Sequence, residues 1–264
     1  MMKFFLIFIS ICVLILIINI KMNWGMTEED IQLAFVPAYM ALFFLMSFSN
    51  LRKAFMERLI TSKDYISVIS KPIVIGVITV FILEGTRYLP LIFNGDIIGI
   101  GSGQVKDDGH LSRFANWFLT CIIAPSNEEF ITRFLFYDGV CLLLLSMIAP
   151  LPREKVKTFN AAQMVLYKML NLFNIMIEIF VQKIFQRSSK LGTCIYVIVA
   201  STVFSILHKP DITNFHLYFL GGVVDWFFFL RYGLIASFLS HATFNASSDM
   251  VHKIWIGMLG INQH

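Results

Sequence analysis

Three short patterns in this sequence hold side chains that can do chemistry at helical spacing. The first is Glu128-Glu129-x-x-x-Arg133, which heads an apolar run ending at Pro150. Glu129 and Arg133 are four apart, so they share a helix face and can pair. Glu128 points about 100° away from Glu129 around a helix and is left for other work. The second pattern is Phe204-Ser-Ile-Leu-His208, and the third is His241-Ala-Thr-Phe-Asn245, an imidazole and an amide on one face. Each alone has a structural reading: a Glu–Arg pin between helices, a histidine satisfying a helix C-terminus, a polar clasp in a bundle. Together they form a hydrolytic inventory. Glu128 can act as general base on water, and His208 can orient or deprotonate that water. His241 and Asn245 can donate to the oxyanion of a scissile carbonyl, while Arg133 neutralises Glu129. Zinc held by Glu128, His208 and His241, with water in the fourth position, is the competing arrangement. No His-Glu-x-x-His spacing supports it locally.

The elements that must position these groups are apolar. The chain has 264 residues, 57% of them hydrophobic, 27 phenylalanines and only 14% charged residues. Its mean hydropathy is +0.74. An ordinary soluble domain carries about 25% charge, so a soluble core is excluded and a polytopic membrane protein is expected. Only helices or closed barrels satisfy the backbone in lipid, and the apolar runs have helix lengths. The expected fold is therefore an all-α transmembrane helix bundle. The net charge of +4 sits in short connecting segments, which excludes nucleic acid as a partner and leaves the lipid bilayer. Cys12, Cys121, Cys141 and Cys194 lie in apolar segments without CxxC spacing and read as small buried hydrophobes.

Taken in order, Phe4–Ile20 reads as an uncleaved first span rather than a signal peptide. Ile31–Phe48 is a second span, followed by a basic, cytoplasmic loop with Arg52, Lys53, Arg58 and Lys63. Tyr65–Leu83 is a third, broken in its first half at Lys71-Pro72. The glycine-rich stretch Glu84–Arg113 reads as a loop. Phe114–Ala124 is too short to span alone and is expected to stop at Pro125, with Ser126 or Asn127 capping the next helix. Asn160–Lys183 places Asn160, Gln163, Asn171, Asn174, Glu178 and Gln182 on one face between basic flanks, the pattern of an amphipathic interfacial helix. Three spans close the chain: Cys194–Leu207, Phe215–Leu230 and Leu234–Asn245. The result is a single membrane domain over residues 1–264 with about seven to eight helices, N-terminal helices over 1–113 and a catalytic core over 114–250.

The ordered triple Glu-Glu-x-x-x-Arg, Phe-x-x-x-His and His-x-x-x-Asn resembles the CPBP intramembrane protease family, which includes the CAAX prenyl endopeptidases and bacterial Abi proteins. The resemblance covers about Pro125–Asn245 and is strongest in Phe219–Asn245. It implies an endopeptidase, integral and multi-pass in a membrane of bacterial type, acting on a membrane-associated peptide or protein. It matches Glu128 to the water-activating glutamate, His208 to its histidine partner, and His241 with Asn245 to the oxyanion pair. Members are described both as zinc metalloproteases and as metal-free glutamate proteases. Two features depart from the pattern: Thr132-Arg133-Phe134 stands where many members have Phe-Arg-Gly, and the segment Asn160–Lys183 lengthens the linker after the first motif. The first departure motivates an alternative, a non-catalytic immunity or secretion-partner protein on the same scaffold. A proton-relay transporter is a third reading, which the lack of an inverted repeat counts against.

Overall fold

Capping side chains and close helix approaches set the architecture of this chain. The structure is a computed structural model. It describes residues 47–93, 95–99, 111–148, 159–185 and 189–261, together with positions 21, 25–27, 40, 41, 43 and 45. Among these residues every regular element is helical. We number the helices α1 (Ser49–Leu59), α2 (Tyr65–Tyr88), α3 (residues 113–146), α4 (Ala161–Ile184), α5 (Lys190–Leu207), α6 (Phe215–Tyr232) and α7 (Leu234–Leu259). Three stretches are long and apolar enough to cross a membrane: Tyr65–Phe93, which contains α2, and helices α4 and α5. The expected all-α membrane bundle is what forms. The first span, most of the second, residues 94 and 100–110 of the expected loop, and the flank Arg153–Lys157 lie outside the described residues.

Helix α3 differs from expectation. Phe114–Ala124 does not stop at Pro125; the chain stays helical from Arg113 to Ser146. It does so by alternating α-helix with two wider π segments, Leu119–Ile123 and Phe130–Gly139. The junction residues Leu119, Ala124, Phe130 and Val140 all keep right-handed helical φ and ψ. A proline lacks the N–H, and its ring crowds the carbonyl four residues back. The wide turn just before Pro125 relieves that crowding, so the helix continues. Ser126 does not cap a new helix: its Oγ donates to the Ile122 carbonyl at 2.6 Å. At the α-helical rise residues 113–146 extend about 50 Å, enough to cross the ~30 Å hydrocarbon core once.

Helix α2 likewise runs through Pro72, where a break was expected, and ends at Tyr88 rather than Leu83. Pro72 is buried, and α2 packs closely along α7: a Cβ on Gly76 would lie 3.1 Å from the Ser240 carbonyl oxygen. That packing offsets the missing backbone bond. The extension brings Glu84 and Arg87 out of the expected loop into a buried pair in which Arg87 Nη1 donates to both Glu84 oxygens at 2.9 and 2.7 Å. Helix α7 continues well past Asn245 because Ser247 and Val251 are buried and Trp255 donates its indole N–H to the Phe81 carbonyl at 2.9 Å. Helix α4 starts with the Asn160–Gln163 capping box and buries only Asn174, Ile177 and Val181. Gln163, Asn171, Glu178 and Gln182 of its polar face are exposed.

The turn between α6 and α7 depends on Gly233. Its φ is +101°, and a Cβ there would lie 2.5 Å from the Arg58 carbonyl oxygen, so no side chain fits. Arg58 itself reaches Asp138 of α3 through two hydrogen bonds of 2.9 and 2.7 Å. Helix α1 also receives the bulky Phe134: its ring packs edge-on against Phe55 with centroids 5.2 Å apart, and on Phe130 at 5.3 Å. The departure from glycine is thus absorbed by an N-terminal helix.

Helix α5 is long and apolar enough to cross a membrane, which would place its flanks on opposite sides. Single cysteines placed at Ser189 and Asp211 should react with an impermeant maleimide from opposite sides of sealed vesicles; labelling of both from one side would contradict this placement.

Candidate active site

The buried centre is built on Arg133. Its guanidinium is 0% exposed and lies 3.0 Å from Glu129 Oε1, one helical turn back on α3. Its second Nη lies 3.5 Å from Asp225 Oδ2 on α6. Its first also donates to Thr132 Oγ1 at 2.6 Å. The faces of Phe204 and Trp226 lie 4.5 and 5.9 Å from the guanidinium carbon. A charge in a membrane helix needs such partners. A Cβ on Gly222 of α6 would sit 3.3 Å from the Phe204 ring, so the small residue lets α5 bring Phe204 close.

Glu129 has a second duty. His241 on α7 places Nδ1 2.9 Å from Glu129 Oε1, and Ser237, one turn earlier, donates its hydroxyl to Glu129 Oε2. An ionised carboxylate only accepts, so Nδ1 of His241 carries the proton and a neutral ring keeps its lone pair on Nε2. The same logic applies to His208, the residue that terminates α5. Its Nδ1 lies 2.9 Å from the Phe204 carbonyl, which also only accepts. Its ring sits between Phe204, at 4.5 Å, and Tyr218, stacked at 4.9 Å.

Glu128 is half-buried and faces these two rings. Its Oε2 lies 3.5 Å from His208 Nε2 and 3.6 Å from His241 Nε2, and this buried oxygen has no hydrogen-bond partner. Both distances exceed the ~2.7–3.2 Å of a direct hydrogen bond. With both rings neutral, three acceptors converge with no donor among them. Such a cluster suits something that brings protons or positive charge: a water, or a metal ion. The residues fit zinc in two respects. With Zn–N and Zn–O bonds of roughly 2.0–2.1 Å, neighbouring ligand atoms of a tetrahedral site stand about 3.3–3.4 Å apart. Each imidazole is also braced at Nδ1 by a carbonyl or carboxylate, as metal-ligating histidines are. Among the described residues the group of three whose ligand atoms all lie within 4.8 Å of one another is not this set but Glu129, Asp225 and His241. It does not fit a metal, because Arg133 already supplies the cation between its two carboxylates.

Of the six residues singled out in the sequence, Glu128 faces His208 and His241 at 3.5 and 3.6 Å, and Glu129 and Arg133 form the anticipated pair. Asn245 is committed differently: its Nδ2 donates to the Thr120 carbonyl at 2.8 Å, in the first π segment of α3. An amide nitrogen has two N–H donors, so this bond uses one of them. Asp225 and Ser237 were not among the candidates. The signal for Asp225 was a lone carboxylate in the apolar run Phe219–Leu230, and that for Ser237 its place one turn before His241.

Two glutamates and two histidines are thus brought together inside an apolar helical bundle. Residues 110–247 match the family model described as type II CAAX prenyl endopeptidase Rce1-like, and the chain belongs to that family. No curated protein and no solved structure matches the chain.

The two adjacent glutamates should differ in their effect on stability. Glu129→Ala leaves the buried Arg133 charge short of its nearest partner and is expected to cost about 3 kcal/mol. Glu128→Ala removes an oxygen with no hydrogen bond to lose and should change stability by less than about 1 kcal/mol. Thermal unfolding in detergent checks this; equal losses would contradict it.

Proposed function

We propose that this chain is an intramembrane endopeptidase that hydrolyses a peptide bond in a membrane-associated peptide or protein, with Glu128 activating the water. The observation that carries this reading is the unpartnered Glu128 Oε2 between the Nε2 atoms of His208 and His241. Water bound there donates one proton to Glu128, and its oxygen attacks the scissile carbonyl. Glu128 then returns that proton to the leaving amine. His208, braced by Phe204 and Tyr218, accepts the water's other hydrogen and fixes its direction. His241 Nε2 accepts in the neutral ring and donates in the imidazolium, and the oxyanion role belongs to the latter form. Asn245 contributes its remaining N–H to the same side. The catalytic core in this reading is 114–250. Where zinc is bound, Glu128, His208 and His241 would hold it, and it would supply Lewis acidity and a more acidic bound water.

The family points to substrates ending in a prenylated CAAX box, and the surrounding bilayer supplies the route for a lipidated peptide. The non-catalytic alternative was motivated by Phe134, whose ring packs on Phe55 and Phe130. That packing removes its motive.

The test is turnover of an internally quenched CAAX peptide in detergent, with and without an S-farnesyl group. Glu128→Ala should lower turnover by about 10²–10⁴ with the fold intact, the usual worth of a general base. Turnover at the wild-type rate would overturn the assignment. Loss with a chelator and recovery with zinc would assign water activation to the metal-bound form; unchanged turnover would assign it to the carboxylate alone.

A further inference from the structure

Asp225 lies in none of the three motifs, yet it is 5% exposed and touches the centre from a helix of its own. We propose that Asp225 is a positioning residue for hydrolysis, holding the His241 ring and the Arg133 guanidinium from the α6 side while Glu129 holds them from α3. This rests on the reading of Glu128, His208 and His241 as the hydrolytic group.

Asp225 Oδ2 lies 3.5 Å from Arg133 Nη2 and 3.8 Å from His241 Nδ1. Glu129 Oε1 meets the other Nη at 3.0 Å and the same Nδ1 at 2.9 Å. One planar guanidinium thus fixes the separation of two carboxylates, as its fork geometry allows, and both carboxylates flank one imidazole N–H. Ser237 ties the same pair a second time: its Oγ contacts Glu129 Oε2 and lies 3.0 Å from the backbone oxygen of Asp225.

An imidazole ring turns broadly about its Cβ–Cγ bond. A single acceptor at Nδ1 fixes the tautomer but leaves the ring free to rock. A second carboxylate on another helix, 3.8 Å from Nδ1 and acting by charge rather than by a hydrogen bond, narrows that rocking, and with it the direction of Nε2 toward Glu128. Glu129 alone already gives Arg133 a charge partner at contact distance, so neutralisation does not account for a second carboxylate buried in a membrane helix. A ring that must aim across a 3.6 Å gap at Glu128 does.

The measurement is steady-state cleavage of the same farnesylated quenched peptide by Asp225→Ala, Asp225→Asn and Asp225→Glu, each corrected for the folded fraction. Outer-shell partners of this kind are worth about 10–100-fold. The Ala variant should lose that much in kcat, with KM changed less than about twofold, and the Glu variant should recover most of it. Because both carboxylates act through His241, Asp225→Ala placed on Glu129→Gln should add less than about a threefold further loss. Wild-type kcat in Asp225→Ala, with only a lower melting temperature, would overturn the proposal and leave a structural anchor. Asp225→Asn, of the same size, is read in the same way should the Ala variant not fold. If Glu128→Ala also cleaves like wild type, the hydrolytic reading itself fails; if Glu128→Ala is inactive and both Asp225 variants keep wild-type kcat, only the role of Asp225 fails.

Discussion

A fully buried guanidinium inside an apolar bundle is the constraint on which the rest of this structure depends. An unpaired charge at Arg133 would be costly. Glu129 of its own helix supplies the contact partner, Asp225 of α6 lies at 3.5 Å, and the ring faces of Phe204 and Trp226 enclose it. Those contacts hold α3, α5 and α6 against one another. Glu129, once held by Arg133, orients His241 and so brings in α7. The ion pair is thus more than a pin between helices. It is the frame on which the reactive side chains hang.

Adjacent glutamates take opposite environments because a helix turns them apart. Glu129 enters the frame and is saturated by Arg133, His241 and Ser237. Glu128 faces the Nε2 atoms of two histidines whose other nitrogens are already committed. The site is therefore rich in acceptors at one point, beside a carboxylate whose two oxygens are both bonded. That contrast is what lets a carboxylate remain reactive beside a structural one. The π segments on either side of Ala124–Glu129 belong to the same design: one carries Pro125 without breaking the helix, and its Thr120 carbonyl receives Asn245.

Much of this was legible in the sequence, and the reasons differ by residue. Spacing of four gave the Glu129–Arg133 pair and the divergence of Glu128, because helical geometry is local. Ordered motifs gave His208 and His241, because their chemistry has few uses in lipid. Helix continuity was misread at Pro72 and Pro125. A proline's local preference is to end a helix, and only tertiary packing or a π turn, neither of which shows in spacing, carries the chain past it. The reach of Glu84 and Arg87 into a helix escaped for a similar reason, since nearby glycines and charges mark a loop unless the charges pair. Phe134 looked intrusive because its accommodation by Phe55 depends on a helix far away in sequence.

The most direct measurement is chemical rescue of folded Glu128→Ala by formate, read as cleavage of a quenched CAAX peptide. If the Glu128 carboxylate activates the water, the variant is inactive alone and regains turnover as formate rises, whereas Glu129→Ala does not. Wild-type cleavage by Glu128→Ala without formate would contradict a role for that carboxylate and with it the proposed chemistry.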